Sequence, residues 1–490
     1  MNIAIIGGGI GGLAVAYNII SQWPASKGAP PTVTVYEASS RFGGNGDTVT
    51  FDLGYFPTVP DPIVYTRWAD LGVNDFNKTA YTNIVEVMNT IGYTGYAPLE
   101  DTTSYYTLDG SIALVDGNGW ITPNTMMPEP LSNAVTAFMS QAAQDATNPA
   151  YASYTIRQYI ETVFVNNLAY DPRLGPQIIY PRVNGMYFTD EMAPSELPLT
   201  SVMHYYAIQE GAGGAPAERM YFVGGASSWI DALTSYMKST MNINLVGGFQ
   251  AQLQYIDNSW QLYNAPPGTP PKGAPVSPNP DIVVVATHAD DAAKIIGGGV
   301  SAEVIGCLSR VKYLNGMAVA HTFAGMMPPD VNAWTTYNIL IHQASTYLKP
   351  YTISYVCNRH QNDSASSEFD TYGGPQFFVT LNPPVPIPNQ YVLTDKATGQ
   401  PAVANLRHNV FDFACQASQS EIVNHQGTNK LYFAGGWTCG AGLHEECWIQ
   451  GQKVAAQIIS GSAVNDHVYD PKRGAEEYAP AYLRRLLRRR

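Results

Sequence analysis

Charge is scarce in this chain of 490 residues: Asp, Glu, Lys and Arg make up only 13%, and the formal net charge is −13. Hydrophobic residues at 45% and 32 tyrosines exclude an intrinsically disordered polymer, and the length predicts two or three structural units with ample core. Positive charge is scarcer still outside the last seven positions. Arg484, Arg485, Arg488, Arg489 and Arg490 supply five of the 26 basic residues, leaving 21 against 39 acidic ones, a body charge of −18. Such a body lacks the clustered cations that neutralise phosphates, which excludes a nucleic-acid partner. Only the Arg-rich tail, with Leu pairs between its Arg clusters, is a candidate for peripheral membrane contact, against disorder as the alternative.

Cysteine is also sparse. Cys307, Cys357, Cys415, Cys439 and Cys447 form an odd set with no C-x-x-C pair, so neither a disulfide framework nor a zinc site is expected, and a cytoplasmic, reducing compartment is. No stretch supplies the roughly 18 uninterrupted apolar residues of a membrane span. The first twenty residues lack a positive n-region and are broken by five glycines in six positions, which argues against a signal peptide.

What those glycines do instead is visible in their order. Asn2 to Ile6 is a short apolar strand, Gly7-Gly8-Gly9-Ile10-Gly11-Gly12 follows directly, and Leu13 to Ile20 has helical periodicity. Strand, G-x-G-x-x-G and helix form a dinucleotide-binding unit: Gly7 for the tight turn, Gly9 for close approach of a pyrophosphate, Gly12 for helix packing. A second strand, Thr32 to Tyr36, ends in Glu37, whose carboxylate can accept from both hydroxyls of an adenosine ribose.

Glu37-Ala38-Ser39-Ser40-Arg41-Phe42-Gly43-Gly44 resembles the E-x-x-x-R-x-G-G continuation found in the glutathione reductase and amine oxidase superfamily of flavoproteins. The resemblance implies FAD as cofactor. Arg41 can offset pyrophosphate charge, while Gly43 and Gly44 bring main-chain N–H groups close to a bulky ligand. Near the other end, Leu431 to Ala434 enters Gly435-Gly436, then Gly440-Ala441-Gly442-Leu443-His444-Glu445 and a helical pattern to about Ile459. In that superfamily this strand contacts the ribityl chain and the next helix aims its positive end at the flavin ring, which places Gly435, Gly436, Gly442, Leu443 and His444 at the cofactor. Gly436 stands where the superfamily has an acid.

Further segments extend the likeness to most of residues 1–460. Among them are Asp70 to Asn74 with Thr79-Ala80-Tyr81, Asp281 to Asp290, Tyr313 to Pro328, Val356 to Gln361 and Phe378 to Pro383. Together they resemble the predicted NAD/FAD-binding proteins that accompany bacterial cyclopropane fatty acid synthases. The family's H-T-D is His321-Thr322-Phe323 here, and residues 47–69 are longer than the family's link. The fold class implied is α/β: a Rossmann-type FAD-binding domain (1–80, 215–305 and 405–465) interleaved with an α+β substrate domain (81–214 and 306–404), followed by the tail (466–490).

The strand Asn315 to His321 carries no lysine of the kind many amine oxidases place near flavin N5; Lys312 is earlier. His321 is the ionisable group left there, either acid–base catalyst or satisfied core histidine. His444 is expected beside the flavin, Glu445 either there or complementing the helix dipole, and Asn358 either on substrate or closing a turn. Cys415 lacks a Gly-rich context and reads as a buried hydrophobe. Tyr180, Tyr187, Phe188, Tyr205, Tyr206, Trp334 and Tyr337 are candidates for a pocket wall poor in charge, suited to an apolar small molecule: lipid, terpenoid or aromatic. The expected activity is hydride removal from such a substrate to FAD, as oxidase or desaturase. The alternatives are double-bond isomerisation of an unsaturated fatty acid and amine oxidation, the latter disfavoured by the missing lysine. Rab GDP-dissociation inhibitors share this architecture without flavin, but both flavin-contacting ends are present here.

Overall fold

A computed structural model describes residues 1–490 except 56–62, 117–126, 188–196, 213, 215, 342–351, 362–375 and 462–490. Phe188, the side chain of Tyr187 and the Arg-rich tail therefore lie outside the described residues.

The β-branched runs of the sequence form a five-stranded parallel sheet. Its order is Asn244–Val246, Thr32–Tyr36, Asn2–Ile6, Ile282–Val285, Leu431–Phe433, with Ile3 paired to Val33 on one side and to Ile282 on the other. Both faces are covered, as unbroken apolar strands of a parallel sheet require. Ile3, Ile5, Val33, Val35 and Val284 face the helix Ile10–Ser21, while Ala4, Ile6, Val283 and Val285 enter a second core, the period-2 alternation of a strand. The C-terminal helix His444–Ser460 returns to pack on Ile10–Ser21, with the Tyr17 and Trp448 rings 5.3 Å apart. The first and last segments of the chain thus share one layer.

Between them lies a seven-stranded sheet: Val403–Asn409, Tyr313–His321, Phe378–Leu381, Thr352–Val356, Tyr337–Leu340, Thr103–Tyr106, Ala113–Asp116. Neighbours are antiparallel except Tyr337–Leu340 with Thr103–Tyr106. Val403–Asn409 pairs along its whole length with Tyr313–Val319, so the substrate-side sheet runs past residue 405, where the sequence suggested a boundary. A small sheet of Asp75–Asn77, Arg219–Phe222 and Tyr96–Pro98 joins segments that the sequence placed in different domains. Helices Glu129–Asp145 and Leu199–Gln209 cover this half through Phe138, whose ring lies 6.3 Å from that of Tyr206.

The long link after residue 47 contains a hairpin, Thr48–Tyr55 with Ile63–Asp70. Among the described residues no helix is long and apolar enough to cross a membrane.

Candidate functional site

A cavity of about 530 Å³ runs from the glycine loop of the parallel sheet to the small sheet and the helix Leu199–Gln209. At the first end its wall is main chain. Gly9 precedes the helix Ile10–Ser21 without any side-chain cap, so the first N–H groups of that helix keep their capacity for an anion. A Cβ on Gly9 would meet nothing within 4 Å and would point into space a ligand can use. A Cβ on Gly12 would lie 2.0 Å from the Gly7 carbonyl oxygen, which shows how tightly the loop turns on its helix.

Glu37 ends its strand with the carboxylate accepting from the N–H groups of Gly8 (2.7 Å) and Ser39 (2.8 Å), which holds it in the cavity wall with lone pairs to spare. Gly43 and Gly44 also line the cavity, and the Gly43 N–H donates to the Gly8 carbonyl (2.8 Å). Arg41 does not line it. Its guanidinium donates to the carbonyls of Gly46 (2.8 Å) and Gly44 (2.9 Å) and lies 3.5 Å from Asp47, so the expected pyrophosphate role is corrected to that of a staple for the Gly43-Gly44 loop.

The middle of the cavity is lined by Gly435, Gly436, Trp437, Ala441, Gly442 and Leu443. Among the described residues the acids lining the cavity are Glu37, Asp75, Glu210 and Asp291, none of them from the segment that carries Gly436. His444, first residue of the C-terminal helix, is buried against the same space, and burial lowers its pKa to about 4, so the imidazole is neutral at pH 7.

Glu445 points elsewhere. Its carboxylate accepts from the N–H groups of Asn83 (2.9 Å) and Ile84 (3.0 Å) and from the Asn83 amide (2.6 Å), capping the helix Thr82–Ile91. The flavin-side alternative is thereby corrected: Glu445 ties two helices together.

Its neighbour Glu446, which the sequence reading passed over, reaches the loop. Glu446 accepts from the N–H groups of Ala441 (2.9 Å) and Leu443 (3.1 Å) and is hydrogen-bonded to Nε2 of His204 on the helix Leu199–Gln209. It therefore fixes the backbone that faces the cavity and links it to the substrate side.

At the far end the wall is side chains. Tyr81, Tyr205, Tyr337, Tyr355, Ile339 and Ile353 line it together with four charges: Asp75, Arg182, Glu210 and Arg219. Arg219 pairs with Asp75 (2.6 Å) and Glu210 (3.2 Å), and Arg182 with Glu210 (2.7 Å). Tyr337 and Gln209 each donate to Asp75 at 2.6 Å. Although desolvation opposes it, the Arg219 guanidinium, the His360 imidazole 3.9 Å away and the Tyr337 hydroxyl hold the Asp75 carboxyl well below the usual range; Arg182 and Arg219 lower that of Glu210 likewise. The expectation of a pocket wall poor in charge is corrected: the charges are present, and they are paired.

Two expected catalytic residues lie outside the cavity lining. His321 is fully buried within the large sheet, its Nδ1 accepting from the Phe323 N–H (3.1 Å) and its Nε2 2.7 Å from the Thr380 hydroxyl. Burial lowers its pKa to about 4. It is a satisfied neutral core histidine, which corrects the catalytic expectation. Asn358, within the short helix Cys357–His360, accepts from the Phe377 N–H (2.9 Å), 19 positions away, and does not line the cavity. Of the expected aromatic wall, Tyr205 and Tyr337 line the cavity. Tyr206 packs on Phe138 and Trp334 on Phe378, and Tyr180 is likewise outside the lining. Cys415 is a buried thiol whose pKa burial pushes up to about 12. Lys312 pairs with Asp412 at 3.2 Å, and no lysine lines the cavity among the described residues.

A parallel dinucleotide sheet, a second sheet inserted between its strands and one cavity joining the two define an amine-oxidase-type fold. Residues 5–91 match a family model described as an NAD(P)-binding Rossmann-like domain. Among solved structures the chain is similar to cyclohexylamine oxidase from Brevibacterium oxydans IH-35A at 15% identity and TM-score 0.56, spanning 94% of this chain and 99% of that one. Putrescine oxidase bound to putrescine is similar at 12% identity and TM-score 0.57, over 94% and 99%. A fatty acid isomerase from P. acnes that produces CLA is similar at 12% identity and TM-score 0.52, over 93% and 98%. No curated protein matches the sequence.

Proposed function

We propose that the protein is an FAD-dependent oxidoreductase that takes a hydride from a largely apolar substrate, as an oxidase or desaturase. The observation that carries this is the continuity of the cavity from Gly9 and Glu37 to the chamber of Tyr81, Tyr205, Tyr337 and Tyr355. An uncapped helix start, an acid held at the strand end and an open face at Gly9 fit the pyrophosphate and ribose of a dinucleotide. Bound there, FAD supplies a two-electron acceptor.

The chain's own contributions are positioning and electrostatics. Gly435, Gly436, Ala441, Gly442 and Leu443 would hold the ring of a bound FAD, and Glu446 keeps Ala441 and Leu443 in place. The N-terminus of the helix His444–Ser460 favours negative charge developing beside it. Neutral His444 offers one donor and one acceptor without adding a charge. The tyrosines and isoleucines exclude water from the far end.

A second reading, double-bond isomerisation with return of the hydride to the substrate, is supported by the likeness to the fatty acid isomerase structure. Anaerobic mixing of the purified protein with fatty acids, terpenoids and amines separates the readings. Bleaching of the flavin band, with peroxide formed in air, supports the oxidoreductase; a rearranged product without net bleaching supports the isomerase. A protein that purifies colourless and stays so after FAD addition refutes both.

A further inference from the structure

The backbone that walls the middle of the cavity, Ala441 to Leu443, is held by groups that do not themselves line it. Glu446 sits inside this loop. Its Oε2 accepts from the N–H groups of Ala441 and Leu443, and a Cβ on Gly440 would collide with its Oε1. That second oxygen is bonded to Nε2 of His204. With two N–H groups already donating to it, the Glu446 carboxylate acts as acceptor, so the His204 Nε2 carries the hydrogen and donates. The Glu446 side chain is 4% exposed, so an oxygen deprived of its donor would not find bulk water instead.

His204 belongs to the helix Leu199–Gln209, which also supplies Tyr205 and Gln209 to the chamber wall. The same helix reaches the loop by a second route. Thr200 and Ser201 accept from the Gln416 amide at 2.9 and 2.7 Å, and one turn further along the helix Phe413–Ile422 the Gln419 amide donates to the Gly440 carbonyl (3.0 Å). Two arms from one chamber-wall helix thus converge on Gly440 to Leu443. The first is the stronger, because a hydrogen bond to a buried carboxylate exceeds one between neutral groups.

We propose that His204 is a positioning residue of the flavin site: from the helix that walls the substrate chamber it fixes, through Glu446, the main chain of Ala441 to Leu443 that a bound FAD would meet. The proposal rests on the reading of this cavity as a flavoenzyme active site. His204 itself does not line the cavity, so it acts only through Glu446 and the loop.

The test compares His204→Leu, which keeps bulk and removes the donor, with His204→Gln, whose amide N–H replaces it, in the full-length protein. FAD affinity is read by fluorescence titration, the flavin environment by visible circular dichroism, and the loop by hydrogen–deuterium exchange over residues 440–446 in flavin-free protein. His204→Leu is expected to speed exchange in this segment about tenfold, to weaken FAD binding about tenfold and to alter the circular dichroism of bound flavin, the effect of losing one hydrogen bond to a charged group. His204→Gln should restore all three. Exchange over 82–91, the helix capped by the neighbouring Glu445, should stay as in the wild type. Adding His204→Leu to Glu446→Ala should weaken FAD binding no further than Glu446→Ala alone, since both remove one chain of contacts. Unchanged exchange over 440–446, unchanged FAD affinity and flavin spectrum, or additive losses in the double variant overturn the proposal, even if His204→Leu melts at a lower temperature. A wild-type protein that takes up no FAD but shows the exchange difference overturns the flavoenzyme reading and leaves the hold of His204 on the loop standing. Should His204→Leu not fold, His204→Asn, whose amide is too short to reach Glu446, is read in its place.

Discussion

The two ends of the cavity are built on opposite principles. At the glycine-loop end the cavity-facing surface is backbone: N–H groups at a helix start, glycines without side chains, and one acid whose own position is set by the N–H groups of Gly8 and Ser39. At the far end it is side chain throughout, a buried ion cluster whose members come from separate stretches of the chain, with Arg219 reaching Asp75 across 144 positions and Tyr337 reaching it across 262. Backbone sites tolerate exchange of most side chains around them but not a Cβ in the wrong place. Side-chain sites respond to every partner, because each buried charge is satisfied only by the others.

The sharpest contrast should come from two glycines in one loop. Gly12→Val puts a side chain where the Gly7 carbonyl oxygen already lies 2.0 Å from a Cβ, so the expected result is loss of soluble, cooperatively unfolding protein, measured by circular dichroism. Gly9→Val has open space around it. It should fold with an unchanged melting temperature yet bind FAD about 100-fold more weakly, a loss of about 2.7 kcal/mol. Equal damage from both would show that Gly9 faces packing rather than ligand.

At the other end, Arg219→Met leaves Asp75 and Glu210 buried without their shared partner. A stability loss of about 3–5 kcal/mol is expected in urea titrations, the magnitude for breaking a buried ion pair from one side. A loss within about 1 kcal/mol would mean that water reaches the cluster and that the chamber is less closed than its side-chain burial indicates.

Adjacent residues sharpen the comparison where the two ends meet. Glu446→Ala should cost about 1–3 kcal/mol and make the protein lose FAD on dialysis, because the loop from Ala441 to Leu443 loses its acceptor. Glu445→Ala should cost a similar amount while FAD retention stays as in the wild type, since its partners are Asn83 and Ile84. Flavin loss in the Glu445 variant would reverse these assignments.

This pair also shows why one end was legible in the sequence and the other was not. Gly7 to Gly12 and Glu37 constrain backbone geometry over a few residues, and a motif records such geometry wherever it occurs. Successive residues of a helix point about 100° apart, so placing His444 at the cavity left open whether Glu445 or Glu446 turns toward it. The answer depends on the helix Thr82–Ile91, far away in sequence. Arg182 and Arg219 resemble ordinary surface residues until folding brings Asp75 and Glu210 to them. Aromatic enrichment pointed at this chamber through Tyr205 and Tyr337, but it carried no sign of the ions between them. Arg41 was misread for a related reason: its motif position was right, but its hydrogen bonds go to carbonyls of its own loop.

His321 gives the smallest effect and separates core from site by pH. Its folded pKa of about 4 lies below the ordinary histidine value of 6.5, so between those values the unfolded chain binds a proton that the folded chain does not. Stability from this group is complete above about pH 6.5 and is lost as the pH falls toward 4, with a slope of about 1.4 kcal/mol per pH unit for one proton. His408 and His444, also lowered to about 4 by burial, add slopes of the same sign. Replacing His321 by Asn should therefore flatten the acid limb of a plot of urea midpoint against pH by about one proton relative to the wild type. With neither ring nitrogen facing the cavity, the same variant should keep kcat within about threefold and leave the pH profile of turnover in place, a change of under about 1 kcal/mol in barrier. A shifted turnover profile would return His321 to the active site; a flattened stability curve with an unmoved profile places it in the sheet that supports the chamber, where its hydrogen bonds to Thr380 and Phe323 put it.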